Sequence, residues 1–441
     1  MGTKILRVLL GLAVGLLMVS PPVWSGGGKE SASVTISMIH ANLREEQTAV
    51  SQAWNEGFDK FKKDYPNVKF DEEVLRTTDL ETKLQALAAT DALPDYFQLK
   101  GSMTYDFAKN GAMKPIDFVF DKDAAWKNIY IDGMFDEFTY DGHVYGAPKM
   151  LAAVSMIYYN KAILKEVGYE QPPKYWDEFV TMCKAIKAKK GIIPVVAANA
   201  PKVVLGTMWF NDICEKIIGP AWFPSIAAVK GAKFTDPGFI RALQVLRDFY
   251  VDGLMNEDTN SLGYEAMFQY FIKGDAAMFI DGSWNVSNAQ KTFPSELVAQ
   301  TGLAFLPGFK DGKGIYTSIP GASGWANAFG RKGADDQKKR DVLVALLKYT
   351  TGPDVFKRVF ELGDIPPTKM DLDPSKMGPL TKQLFAMLKQ ATIRPIYDTR
   401  LRPALIEVLH SGIQEVVIGT LKPEDLAARV QKEYESLYKA Q

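Results

Sequence analysis

The chain has 441 residues, with 52 lysines and arginines against 52 aspartates and glutamates and a formal net charge of zero. That balance excludes the basic surface a nucleic-acid binder needs, and an apolar content of 47% excludes a disordered chain. The length accommodates two or three domains of ordinary size.

At the N-terminus, Lys4 and Arg7 precede an apolar run over 8–19, closed by Pro21 and Pro22 and followed by Val23-Trp24-Ser25-Gly26. A basic stretch, a short apolar core and small residues predict a secretory signal peptide cut near Ser25. The run is shorter than the roughly 20 apolar residues a membrane span requires. Residues 26–33 read as a flexible leader, and no cysteine stands near the cut to accept a lipid. The expectation is a soluble exported protein.

Residues 34–39 alternate apolar and polar and predict a strand. After a loop holding His40 and Asn42, residues 45–65 predict an amphipathic helix with Val50, Trp54, Phe58 and Phe61 at helical spacing, stopped by Pro66. A strand over 68–74, a helix over 80–89 and a strand over 94–99 follow, an order that predicts an α/β sheet with parallel crossovers. Further helices are predicted at 161–167, 175–189, 239–251, 264–273, 335–350, 353–360, 379–390, 402–417 and 423–438, and strands at 195–198, 276–280, 302–305 and 325–329. Cys183 and Cys214 are the only cysteines. They fit a disulfide in an oxidising compartment and two buried thiols equally well.

Motifs for chemistry fail on residue type or spacing. His40, His143 and His410 have no metal-ligand spacing. Gly321-Ala322-Ser323-Gly324 departs from the nucleophile-elbow pattern. Residues 308–313 fall one residue short of a phosphate loop and lack the following Ser or Thr. Asp371, Asp373 and Ser375 begin like a calcium loop, but Lys376 and Lys382 occupy the positions that need Gly and Glu. No metal, cofactor or catalytic residue is expected. A carboxylate pair for glycoside hydrolysis is defined by separation in space, so a carbohydrate-active enzyme stays open as a rival reading.

Several segments together resemble the family 1 extracellular solute-binding proteins, the group that includes maltose-binding proteins. They are Leu93-Pro94-Asp95, Tyr145-Gly146-Ala147-Pro148, Ile157-Tyr158-Tyr159-Asn160-Lys161, the stretch 172–179, the stretch 271–278 with Asp281-Gly282-Ser283-Trp284, and Ile365-Pro366-Pro367. The resemblance runs from Val34 to the C-terminus. It implies an α/β, two-lobe, periplasmic-binding-protein-like (type II) fold with three hinge crossings and a cleft between the lobes. By that analogy the crossings fall near 147–150, 306–309 and 362–365, with lobe one made of 34–147 plus 308–361 and lobe two of 148–307 plus 362–441. It implies a monomeric periplasmic or extracellular component of an ABC transporter that captures a sugar by cleft closure and delivers it to the membrane permease.

Sugars present C–H faces and a rim of hydroxyls, so the expected site combines flat aromatics with fixed polar groups. Trp284 is the expected stacking platform, because it follows a predicted strand through a tight turn and ligands of open α/β sheets sit beyond strand ends. The resemblance places a tryptophan there too. On the other lobe the strand-end loops offer His40, Asn42, Gln98, Lys100 and Ser102. Maltose-type members carry an aspartate at the position of Ser102 and a tryptophan at that of Leu99, which speaks against maltose. Gly321 and Ser323 permit close backbone approach, Asp364 stands beside the third crossing, and Tyr397 is a further candidate, followed by Trp209, Trp222 and Asp398. Trp325, inside a predicted strand, is expected in the core. Lys100, Arg394 and Arg400 keep sugar acids, polyols and phosphorylated polyols open as ligands, and a receptor subunit reporting to a chemotaxis partner would bind in the same way.

Overall fold

Alternation over the first predicted strand buries Ile36, Met38 and Ile39 in the strand Val34–His40. This strand pairs in parallel with Val68–Val74 and with Tyr96–Lys100, the expected crossover pattern. Trp325–Phe329 runs antiparallel beside Tyr96–Lys100, and Gly146–Pro148 closes the edge of this five-stranded first sheet. The computed structural model describes residues 33–438, so the signal peptide and nearly all of the expected leader lie outside the described residues. No described helix is long and apolar enough to cross a membrane.

A second sheet holds Thr301–Phe305, Met156–Asn160, Ala276–Asp281 and Ile193–Val196 in that order. Met156–Asn160 is antiparallel to both of its neighbours. Helices Trp176–Lys190, Pro237–Val251 and Pro403–Val417 pack beside it around Phe179, Trp209, Leu243, Phe249 and Leu409. Cys183 and Cys214 are separate buried thiols, which closes the disulfide alternative.

Between the two sheets lies a small bridging sheet. Ser318–Ala322 pairs in parallel with Thr392–Arg394 and antiparallel with Ala152–Ala153. Pro320 and Gly321 mask this strand in the sequence, since both are disfavoured inside strands. Pro320 still accepts from the Val154 amide through its carbonyl. At Gly321 a Cβ would stand 2.8 Å from the Ala152 carbonyl oxygen, so only glycine permits this strand spacing. Gly321→Ala is expected to cost about 1–3 kcal/mol through forced backbone shifts, read as a lower denaturant midpoint.

One expectation is corrected. The first long helix is Ala49–Asp64, starting later than residue 45 because the Thr48 side chain caps it by accepting from the Ser51 amide at 3.3 Å. Residues 308–317 run against the second-sheet side. The Gly308 amide donates to Lys174 and its carbonyl accepts from Trp176, while the Gly314 amide donates to Lys216. The Lys216 side chain is wholly buried and reaches Asp212 at 2.7 Å and the Leu306 carbonyl at 2.6 Å, tying this segment to helix Asn211–Ile218.

Candidate functional site

The C-terminal ends of the strands Val34–His40 and Tyr96–Lys100 and of the strand Ala276–Asp281 supply the loops of the site. Trp284, from the second-sheet side, and Trp325, from the first sheet, both pack partly buried against one apolar cluster. That cluster contains Val50, Met150, Ala152, Val154, Val355 and Ile396, drawn from both sides and from the bridging strand. Trp325 is therefore at the junction of the lobes, as well as against the first-sheet core where it was expected.

Beside this cluster sits Lys149, only 6% exposed. Its ammonium donates to Asn42 Oδ1 at 2.7 Å, and burial pulls its pKa down to about 8 against the opposing pull of Glu46. The Asn42 Nδ2 has no partner among the described residues. Glu46 accepts from the Ser51 hydroxyl at 2.6 Å, and burial raises its carboxyl pKa. Lys149 is also tied to the first-sheet tryptophan, its amide donating to the Trp325 carbonyl at 3.2 Å.

The Trp284 turn is closely held. Its indole Nε1 donates to the Tyr264 hydroxyl at 3.0 Å, which donates to Asp281 Oδ2 at 2.5 Å. Asp281 Oδ1 accepts from the Gly282 amide at 2.7 Å. Burial pushes the Asp281 carboxyl up to about 7.

A row of ion pairs joins the two sides farther along. Asp398, Arg400 and Arg402 face Lys100 at 3.4 Å, Glu137 at 3.8 Å and Asp106 at 2.7 Å. Thr207 donates to Asp398 at 2.8 Å from the second-sheet side, and Glu81 adds a second carboxylate to Lys100 at 3.1 Å. Burial opposes the Lys100 charge, but Asp398 and Glu81 outweigh it and raise its pKa.

Of the residues singled out in the sequence, Trp284 packs against the junction cluster, Asn42 accepts from Lys149, and Lys100 lies in the ion-pair row. Ser102 is buried next to it, its hydroxyl without a partner among the described residues. Four others act as supports. His40 is wholly buried against Trp54, its Nε2 at 3.2 Å from Glu72 and its Nδ1 accepting from the Asn42 amide, so both ring nitrogens are engaged. Gln98 accepts from the Ala41 amide at 2.9 Å and fixes the same loop. The Ser323 hydroxyl donates to the Trp325 carbonyl at 2.6 Å, and Gly321 serves the bridging sheet. Tyr397 is turned into the second-side core, its hydroxyl 2.8 Å from His410 Nε2. Trp209 is also core, and Trp222 donates to Asp236.

Asp364 is buried and accepts from the Ile365 amide at 2.7 Å, and burial raises its pKa to about 7. The folded chain therefore holds a proton that the unfolded chain releases between roughly pH 4 and pH 7. This contribution to stability is lost as pH rises through that window, by up to about 4 kcal/mol. Asp364→Asn is expected to flatten that part of the profile. The check compares denaturant midpoints at pH 5 and pH 8, where the variant should drop less than the parent.

Sequence reasoning missed Lys149, Tyr264, Glu81 and Glu137. Lys149 alone had a signal, directly following Tyr145-Gly146-Ala147-Pro148 at a chain crossing.

Residues 45–355 match the model of the bacterial extracellular solute-binding proteins. The chain is 26% identical over 264 residues to an ABC transporter extracellular-binding protein of Pyrococcus horikoshii, a match that covers 58% of each chain. It is 27% identical over 272 residues to the multiple sugar-binding protein of Streptococcus mutans, covering 59% of each. The matched part thus spans somewhat more than half the length of these relatives. Among solved structures, a chitin oligosaccharide binding protein superimposes with a TM-score of 0.83 at 24% identity, covering 92% of this chain and 98% of that one. This last likeness is one of fold.

Proposed function

This chain belongs to the bacterial extracellular solute-binding protein family, and from that premise we propose that it captures a sugar or oligosaccharide between its lobes for an ABC importer. The observation that carries the reading is the convergence of Trp284 and Trp325, one from each side, on a single junction cluster beside Lys149 and Asn42. Flat rings suit the C–H faces of a sugar ring, and a few fixed polar groups suit its hydroxyls.

Lobe one is 34–147 with the Trp325–Phe329 strand and the helices up to residue 361, and lobe two holds the second sheet, 308–317 and the C-terminal helices. The crossings run through Ala152–Ala153, Ser318–Ala322 and 362–365, a reading supported by the pairing of the first two in the bridging sheet. A ligand seated on one lobe gains the other lobe's contacts only on closure, and that difference in affinity shifts the population to the closed form. The signal peptide ending near Ser25 would deliver the chain to the periplasm or cell exterior, where permease subunits in the membrane receive the solute. The binding step needs no covalent chemistry.

The test is a thermal-shift screen of the chain from residue 26 against chitotriose, xylotriose, maltotriose, glucuronate, sorbitol and sorbitol 6-phosphate. A saturable rise with one of the oligosaccharides is expected, since a ligand of the native state alone stabilises by mass action. A rise only with the acid or the polyols overturns the sugar reading and leaves the fold untouched.

A further inference from the structure

A stacking platform works only if its plane is fixed before the ligand arrives, because a freely rotating ring must be ordered at the cost of binding free energy. Trp284 is partly buried, at the first turn of the short helix Asn285–Thr292, so packing alone does not enclose its ring. Two features define where the indole lies. Its benzene edge lies over Gly282, where a Cβ would come within 2.1 Å of Cη2. Its Nε1 edge is held by the Tyr264 hydroxyl at 3.0 Å.

We propose that Tyr264 and Asp281 are positioning residues that set the plane of Trp284 for the ligand. The proposal rests on the sugar-platform reading above. Tyr264 comes from helix Tyr264–Lys273 and Asp281 from the strand that leads into the Trp284 turn, so the relay ties the ring to two separate elements. The phenol accepts from the indole and donates to one carboxylate oxygen, and the other carboxylate oxygen takes the Gly282 amide. The relay therefore closes on the residue that lies beneath the ring. The turn itself is clamped from outside, by the Tyr158 hydroxyl donating to the Gly282 carbonyl at 2.7 Å and by Ser283 Oγ accepting from the Ala153 amide at 3.1 Å. These bonds hold the turn, and the relay adds a directional restraint on the rotation of the indole.

The experiment isolates Trp284 fluorescence as the difference between the parent and Trp284→Phe, each with and without Tyr264→Phe. Tyr264→Phe removes one oxygen and keeps the ring packed edge-on against Phe268. The expected result is faster depolarisation of the Trp284 signal and a 5- to 10-fold weaker affinity for whichever oligosaccharide of the screen binds, with an unchanged far-UV spectrum. Asp281→Asn is the second variant. An amide offers one acceptor oxygen where the carboxylate offers two, so with the Gly282 amide served the phenol proton loses its acceptor and the same loosening is expected. Trp284 depolarisation that stays at the parent value in both folded variants overturns the proposal. If Trp284→Ala leaves carbohydrate affinity intact, the platform reading fails, and the depolarisation still decides whether the relay sets the ring.

Discussion

Trp284→Ala is expected to weaken carbohydrate binding by at least about 2 kcal/mol, roughly 30-fold, since a central aromatic anchor carries a large share of the energy of a small interface. The indole is the one large ring that reaches the junction from the second-sheet turn, and it touches both the second-side core and the junction cluster. Truncation removes the flat surface and leaves the Tyr264 hydroxyl without its indole donor. Trp284→Phe keeps a ring without the Nε1 donor and should fall between the two. Isothermal titration with the oligosaccharide that shifts the melting temperature measures all three. Equal affinities for parent and alanine variant would move the platform to Trp325 and remove Trp284 from the site.

Lys216→Met is expected to produce the largest loss of stability, about 3–5 kcal/mol, the usual penalty for leaving one member of a buried ion pair alone. Both side chains are sealed from solvent, at 0% and 1% exposure. The ammonium meets Asp212 and the Leu306 carbonyl, so its removal leaves a carboxylate and a peptide oxygen uncompensated. Asp212→Leu combined with Lys216→Met removes both charges and should recover most of the loss, because an apolar pair of similar volume avoids the desolvation penalty altogether. Denaturant midpoints of the single and double variants check this. A double variant as unstable as the single one would show that the lysine acts mainly through Leu306.

The sequence made some of this legible and hid the rest for physical reasons. The strands at 34–40, 68–74, 276–281 and 325–329 follow from alternation or from unbroken apolar runs, which depend only on near neighbours. The strand-end position of Trp284 was readable because its strand, turn and ring are contiguous. Tyr264 and Glu137 were not, because their partners lie on other elements, and Lys149 had only its place after Pro148 as a signal. Arg402 finds Asp106 across a separation of 296 residues, and no local pattern announces such a pair. His40 misled because a polar residue at a strand end reads as accessible, whereas here Trp54 and Glu72 enclose it. The bridging strand was lost to Pro320 and Gly321, residues that weaken a strand in general but fit this one, whose neighbours need a carbonyl and a missing side chain.

The bridging sheet has one more consequence. Its cohesion comes from main-chain bonds among Ser318–Ala322, Thr392–Arg394 and Ala152–Ala153, and backbone groups are the part of a protein that mutation leaves in place. Trp325, Lys149 and Lys100 make their contacts through side chains carried on other elements. Side-chain character and bridging-sheet cohesion are thus inherited through different parts of the molecule. A lineage can exchange Trp325, Lys149 or Lys100 while the main-chain bonds of the bridging sheet stay as its ancestors had them.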